Sequence, residues 1–253
     1  MEPGTYLQLF EVSILLQDWA RFRARQPERN QQGHQYDGNN FVDKAEQAGA
    51  SAALLNYGFT SSLPHILVED TRLALAKLAE AWRDKAPAKI VGITGSNGKT
   101  TVTNLLYHML KKAGMKVAMT GNVGNSFAMA VAEDNFDYYV IELSSFQLDG
   151  MYDFRADIAI LLNITPDHLD RYSYKLQNYI DSKFRVIQNQ TPSDYFIFWA
   201  DDPVILTELT KRELPMVLLP FSADSKQGMA AYIENNELVI DYPNKTNLMT
   251  IHD

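Results

Sequence analysis

Residues 89–101, KIVGITGSNGKTT, constrain this chain more than any other stretch. Ile90, Val91 and Ile93 form a β-branched apolar run that predicts a buried strand. The run breaks at Gly95-Ser96-Asn97-Gly98, and Lys99-Thr100-Thr101 follow. From Val102 the apolar residues fall at Val102, Leu105, Leu106, Met109, Leu110 and Ala113, which predicts one face of a helix. Strand, glycine turn, Lys-Thr and helix make the layout of a phosphate-binding loop. Glycines let the backbone approach a polyphosphate, and a helix N-terminus offers unpaired N–H groups and a positive dipole end. Lys99 would reach the terminal phosphates, and Thr100 would place its hydroxyl on Mg²⁺. The strict pattern has its first glycine where this chain has Ile93, so the loop is a variant.

Composition narrows the partners. A 253-residue chain holds one large or two modest domains, and 46% hydrophobic content supports a packed core. The net charge of −8 argues against a nucleic-acid or anionic-membrane partner, so a polyanion must be held by a local feature. Without cysteine there is no disulfide, thiolate metal site or thiol nucleophile. No apolar run approaches membrane-spanning length, and the N-terminus lacks the charge and apolar pattern of a secretory leader; a cytoplasmic location is the expectation.

Ahead of the loop, residues 1–32 carry little signal beyond an amphipathic pattern over 6–19. A helix over 41–48 ending at Gly49, strands at 52–55 and 65–68, and a helix opened by Asp70 or Thr71 make a small α/β piece. The stripe Leu75, Leu78, Ala79, Trp82 belongs to that last helix, which Pro87 ends. The expected domains are therefore 1–87 and 88–253. Beyond residue 88, strands at 89–94, 116–119, 138–143, 158–162, 195–199 and 216–219 alternate with helices at 100–113, 126–132, 176–189 and 202–209. That alternation predicts an α/β fold with a mostly parallel sheet flanked by helices. The segments 230–234 and 237–241 around Asn235-Asn236 predict a C-terminal β-hairpin.

Ligands of open parallel sheets bind beyond the carboxyl ends of the strands, and polar clusters fall there. They are Gly121-Asn122-Val123-Gly124, Glu142-Leu143-Ser144-Ser145-Phe146-Gln147, and the run from Asn163 through Asp167-His168 to Asp170. Each alone reads equally as a turn, a helix cap or a solvated loop. Glu142 is a hard oxygen ligand suited to a phosphate-bound Mg²⁺. Lys183 reads as a solvated helix lysine, and Asp201-Asp202-Pro203 as a helix start with acids at the positive dipole end.

In their order, these motifs resemble the central ATPase domain of the Mur ligases, which add amino acids to a UDP-N-acetylmuramoyl precursor of peptidoglycan. Ser144-Ser145-Phe146-Gln147-Leu148 and Asp167-His168-Leu169-Asp170 are most similar to the D-glutamate-adding type. The resemblance implies an ATP-dependent amide ligase working through an acyl phosphate, with ATP and Mg²⁺ as cofactors and D-glutamate as the amino acid. It implies Lys99 on the β- and γ-phosphates, Thr100 and Glu142 on one Mg²⁺ and His168 on a second. Lys183 matches the family's lysine that CO₂ converts to a carbamate, an anion able to serve a metal site. Asn122 and Ser144 would lie near the phosphates and the substrate carboxylate. In the N-terminal piece, His34 to Phe41, Ala48-Gly49-Ala50 and Val68-Glu69-Asp70-Thr71-Arg72 instead resemble the UDP-binding domain of the D-alanyl-D-alanine-adding type. The resemblance also implies that the family's asparagine-rich helix motif and third domain lie outside these residues, so a nucleotide-binding module without turnover is the alternative expectation. Trp199 stands where the family commonly has asparagine.

Overall fold

The computed structural model describes residues 38–47, 49–50, 52–71, 73–74, 77, 88–124, 127, 130–131, 136–224 and 227–250. The expected helix over 6–19, the stripe Leu75, Leu78, Ala79, Trp82, Pro87 and most of 126–132 lie outside them. The chain divides into two compact units, 1–86 with 128–134, and 87–127 with 135–253.

In the first unit, a 3-10 turn at Gly38–Phe41 leads into helix α1 (Val42–Gln47), and strands β1 (Ala53–Asn56) and β2 (His65–Val68) pair in parallel. Asn39 ties the turn to β1. Its Nδ2 donates to Asn56 Oδ1 at 2.7 Å and its Oδ1 accepts from the Asn56 backbone N–H at 2.9 Å, so one amide holds both the side chain and the backbone of Asn56.

The second unit is built on β3 (Lys89–Thr94), α2 (Lys99–Lys112), β4 (Val117–Gly121), β5 (Tyr138–Glu142) and α3 (Ser145–Leu148). It continues through β6 (Ile158–Leu161), α4 (Leu176–Phe184), β7 (Tyr195–Trp199), α5 (Pro203–Leu209) and β8 (Val217–Phe221). Strands β9 (Ala231–Glu234), β10 (Glu237–Asp241) and β11 (Lys245–Thr250) complete it. The nine strands form one sheet ordered β11-β10-β9-β8-β7-β6-β3-β5-β4, parallel from β4 through β9 and antiparallel beyond. The expected hairpin is β9–β10. Asn235 and Asn236 have φ of 51° and 61°, as a two-residue type I′ turn demands.

Val91, Ile93, Val117, Val140 and Ile160 form the core under α2, and Val102, Leu106 and Leu110 pack onto it. The stripe expected on α2 is too wide: Leu105 and Met109 are each 57% exposed, and Ala113, at the C-cap, is exposed as well. Leu106 and Leu110 already fill the space over the sheet, so their neighbours on the helix turn to solvent. Two further elements differ from expectation. The helix expected over 176–189 ends at Phe184 in a 3-10 turn (Arg185–Ile187), because Gln188, Asn189 and Gln190 spend their amides on the carbonyls of Met151, Tyr152, Phe154 and Ala156. And β11, whose sequence does not alternate, forms by pairing with β10.

Candidate functional site

The chain runs β4, then β5, on one side of β3, and crosses to place β6 on the other. The carboxyl end of β3 is thus a topological switch point, where an open α/β sheet leaves a crevice. The glycine loop fills it. Gly95 has φ 153° and Gly98 has φ 80°, and a Cβ on Gly95 would lie 3.0 Å from Leu162 Cβ. Gly98 is the N-cap of α2, so the helix N-terminus opens directly at the loop.

The loop is tied to the segment that follows β6. Ser96 N donates to Asn163 O and Asn97 N to Asn163 Oδ1, while Ser96 Oγ donates to Thr165 O at 2.9 Å. The Tyr179 hydroxyl lies 3.0 Å from the same Ser96 Oγ. Asn163 and Thr165 belong to the polar run expected beyond this strand, whereas Tyr179 is not among the candidates read from sequence. Tyr179 carried a usable signal, since it precedes Lys183 by one helical turn and therefore shares its face.

On the β5 side the expected residues converge. Thr100 Oγ1 donates to Glu142 Oε2 at 2.8 Å, and Asn122 Nδ2 donates to Glu142 Oε1 at 3.0 Å. Glu142 is 1% exposed, and no lysine, arginine or histidine among the described residues pairs with it. Gly121 and Gly124 permit this approach: a Cβ on Gly121 would fall 2.2 Å from Glu142 O, and one on Gly124 2.6 Å from Met119 O.

The positive charge sits opposite. Lys99 Nζ folds back onto Gly95 O (2.8 Å) and Ser96 O (3.0 Å), and Lys183 Nζ donates to the same Gly95 O at 2.8 Å. Lys183 is 2% exposed, which overturns its reading as a solvated lysine. Its helix packs that face inward, as Tyr179, Ile180 and Phe184 are buried with it. Burial first, and then the Lys99 charge, push the Lys183 amine down to about 7 against the opposing pull of Asp167. Burial likewise raises the Tyr179 phenol above its ordinary value.

The remaining residues stand further from this centre. Ser144 caps α3 in a capping box with Gln147, its hydroxyl accepting from Gln147 N and donating to Gln147 Oε1. His168, half exposed, lies 3.4 Å from Asp167 and packs on the Phe146 ring at 4.9 Å. Thr101 is exposed in the first turn of α2. Asp202 is the expected helix start: it is the N-cap of α5, accepting from Val204 N and Ile205 N through one oxygen and from Ile164 N through the other.

A buried, unpaired carboxylate attracts a cation, and two ammonium groups without carboxylate partners attract an anion. The donor set of Glu142, the Thr100 hydroxyl and the Asn122 amide carbonyl is all hard oxygen, which fits Mg²⁺. The glycine cradle, the helix N-terminus and Lys99 fit the phosphates of a nucleotide.

The sheet order, the switch point and the loop together define a P-loop-type α/β domain. Residues 93–251 match the Mur ligase middle domain, and the chain belongs to that family. Among curated relatives, UDP-N-acetylmuramoylalanine–D-glutamate ligase of Bacteroides fragilis is 60% identical over 161 residues, covering 64% of this chain and 36% of the relative. The ligase of the same name from Geotalea uraniireducens is 40% identical over 186 residues, covering 73% and 40%. The chain therefore spans little more than a third of the length of these relatives. Among solved structures, the MurF ligase of Thermotoga maritima in complex with ADP aligns with a TM-score of 0.64 at 23% identity, covering 87% of this chain and 54% of the other. MurF of Acinetobacter baumannii aligns with a TM-score of 0.65 at 22% identity, covering 86% and 50%. These likenesses establish the fold.

Proposed function

We propose that this chain carries the nucleotide and metal site of an ATP-dependent ligase of peptidoglycan precursor synthesis, one that joins D-glutamate to UDP-N-acetylmuramoylalanine in the cytoplasm. The observation that carries the reading is the separation of charge at the β3 switch point: a buried unpaired Glu142 on one wall, Lys99 and Lys183 on the other. ATP with Mg²⁺ would supply the phosphoryl group that activates the substrate carboxylate. Thr100, Asn122 and Glu142 would hold the metal, and Gly95, Ser96, Asn97 and Gly98 would border the phosphates, with the open N–H groups of the first turn of α2 at Lys99, Thr100 and Thr101 aimed at them. Lys99 is anchored on Gly95 O and Ser96 O, from where it can turn to a γ-phosphate and neutralise charge as a carboxylate approaches. Ser144 and His168, at the ends of β5 and β6, would face the substrate carboxylate and a second Mg²⁺.

Lys183 has the environment that carbamate formation needs. A neutral amine attacks CO₂, a C–N bond forms and one proton leaves, turning a buried cation into an anion. Depression of the amine to about 7 supplies that neutral form near physiological pH. The domain assignment follows the same reading: residues 88–253 take the nucleotide and 1–87 the uridine-linked substrate. D-glutamate is favoured by the 60% identity over 161 residues to the D-glutamate ligase of Bacteroides fragilis. The D-alanyl-D-alanine-adding reading is favoured by the motifs around Asn39 in the first unit, where Asn39 and Asn56 interlock.

Calorimetric titration of the 253-residue chain with ATP and Mg²⁺ tests the nucleotide site. The wild type should bind, and Lys99→Ala should lose about tenfold or more of the affinity. Equal affinity in both proteins would overturn the assignment.

A further inference from the structure

Among the described residues, backbone strain gathers in one loop of the second unit. His168, Ser173 and Tyr174 have φ of 48°, 54° and 56°, a region that side-chain-bearing residues rarely adopt. Asn235 and Asn236 share it for the ordinary reason of a two-residue hairpin. The 168–174 loop adopts it in a run of backbone turns, closed by Arg171 N–H to His168 O, Tyr172 N–H to Leu169 O and Tyr174 N–H to Leu169 O. It is held in place by the Tyr172 hydroxyl, which donates to Asp149 Oδ2 at 2.9 Å and reaches Ser182 Oγ at 3.3 Å. Strain of this kind persists where the surroundings over-determine it, and it clusters at ligand clamps.

What the loop presents is Arg171. The residue is exposed, and its guanidinium lies over the Phe146 ring at 4.2 Å from the centroid. Arg155 and Arg212 are neutralised by Asp194 and by Asp181 with Glu208, and Arg185 reaches the Met151 carbonyl. Among the described residues, Arg171 alone of the arginines has neither a carboxylate nor a carbonyl on its N–H groups. The cation–π contact holds the guanidinium over the ring while leaving its N–H donors available to a ligand. Phe146, the ring beneath, belongs to the short helix that begins just after Glu142 and also carries His168 on its surface. A rigid planar donor fork matches a carboxylate in bidentate geometry.

We infer that Arg171, held over the Phe146 ring, receives a substrate carboxylate and so selects an acidic substrate. The inference rests on the ligase reading above, in which the acyl donor and the incoming amino acid both bear carboxylates. Phosphate oxygens are served at the other end of the site by Lys99 and the glycine loop.

The test titrates the 253-residue chain, as wild type, Arg171→Gln and Arg171→Lys, with four probes in separate arms: Mg-ADP, D-glutamate, D-glutamine and UDP-N-acetylmuramoylalanine. Arg171→Gln should weaken one of the two acids by about tenfold or more, with Arg171→Lys intermediate because it keeps charge but loses the fork. If D-glutamate is that acid and D-glutamine binds both proteins alike, the side-chain carboxylate is the one held; if the uridine nucleotide is, the acyl donor's is. Mg-ADP affinity should stay within about twofold, and the thermal midpoint should not move, since Arg171 is exposed. Unchanged binding of both acids, absence of binding by the wild type, or an equal loss for Mg-ADP overturns the inference. A wild type that fails to bind Mg-ADP yet loses an acid on Arg171→Gln would overturn the nucleotide reading and leave the carboxylate site standing.

Discussion

Lys99 and Lys183 share one acceptor: both ammonium groups lie 2.8 Å from the carbonyl oxygen of Gly95. The two lysines come from the loop helix and from α4, 84 positions along the chain if counted from 99 to 183, and Gly95 is the point where their elements meet. One carbonyl offers two lone pairs, so it can accept from both lysines, but two like charges face each other across a single oxygen. The buried member yields, and Lys183 is the one pushed down to about 7.

This depression makes stability depend on pH with a definite sign. Between pH about 7 and the ordinary lysine value of 10.5, the unfolded chain holds a proton on Lys183 that the folded chain has released. The unfolded state binds more protons, so folding stability rises with pH across that window, with a limiting slope of about 1.4 kcal/mol per pH unit for one group. Below pH 7 both states are protonated and the contribution is constant. Urea unfolding of wild type and Lys183→Met from pH 6 to about 10 reads the difference. The wild type should gain on the variant as pH rises; a flat difference would show an ordinary amine.

Glu142 is predicted to respond oppositely in binding and in stability. Glu142→Gln keeps the shape and one acceptor for Thr100 or Asn122 while removing a buried charge that no cation among the described residues balances. Its thermal midpoint should match or exceed that of the wild type. Its nucleotide affinity should lose the Mg²⁺ dependence that the wild type shows, read by titration with Mg²⁺ and again with EDTA. Preserved Mg²⁺ dependence in the variant would place the metal elsewhere.

Much of this centre was legible because it is local. Strand, glycine turn, Lys-Thr and helix are contiguous, so Gly95 to Thr100 could be read from spacing. Glu142 and Asn122 were legible as strand-end residues, but their meeting was not, since it depends on β5 lying between β3 and β4. Lys183 by itself reads as a solvated helix lysine and only the family resemblance placed it in the site, because its burial is set by Tyr179 and Phe184 packing α4 inward, a tertiary effect that outweighs a lysine's preference for water. β11 was missed since an edge strand takes its conformation from the neighbour it pairs with.

Gly121 should tolerate no side chain. Its φ is 104°, and a Cβ would sit 2.2 Å from the Glu142 carbonyl oxygen, backbone that cannot swing aside. Gly114, at φ 81°, meets nothing within 4 Å and supplies the comparison, since its replacement costs only the left-handed strain of about 1–2 kcal/mol. Gly121→Ala should be less stable than Gly114→Ala in urea and should also weaken nucleotide binding, because the displaced strand end carries Glu142. Equal stability of the two variants would mean the β4–β5 spacing relaxes freely.

Asp202 links the site to the far half of the sheet. One carboxylate oxygen caps α5 through Val204 N and Ile205 N, and the other accepts the Ile164 N–H at 2.8 Å. Ile164 lies between Asn163 and Thr165, the two residues that hold Ser96 and Asn97 of the loop. Asp202→Ala removes the cap, at about 1 kcal/mol, and strands a buried N–H, at about 1–3 kcal/mol, so a loss of roughly 2–4 kcal/mol is expected. Asp202→Asn keeps one acceptor and should lose less. Because the orphaned N–H frees the 163–165 segment, Asp202→Ala should also speed amide exchange at Ser96 and Asn97, whose partners sit there. Hydrogen exchange that quickens in α5 but not in the glycine loop would confine Asp202 to its role as a helix cap.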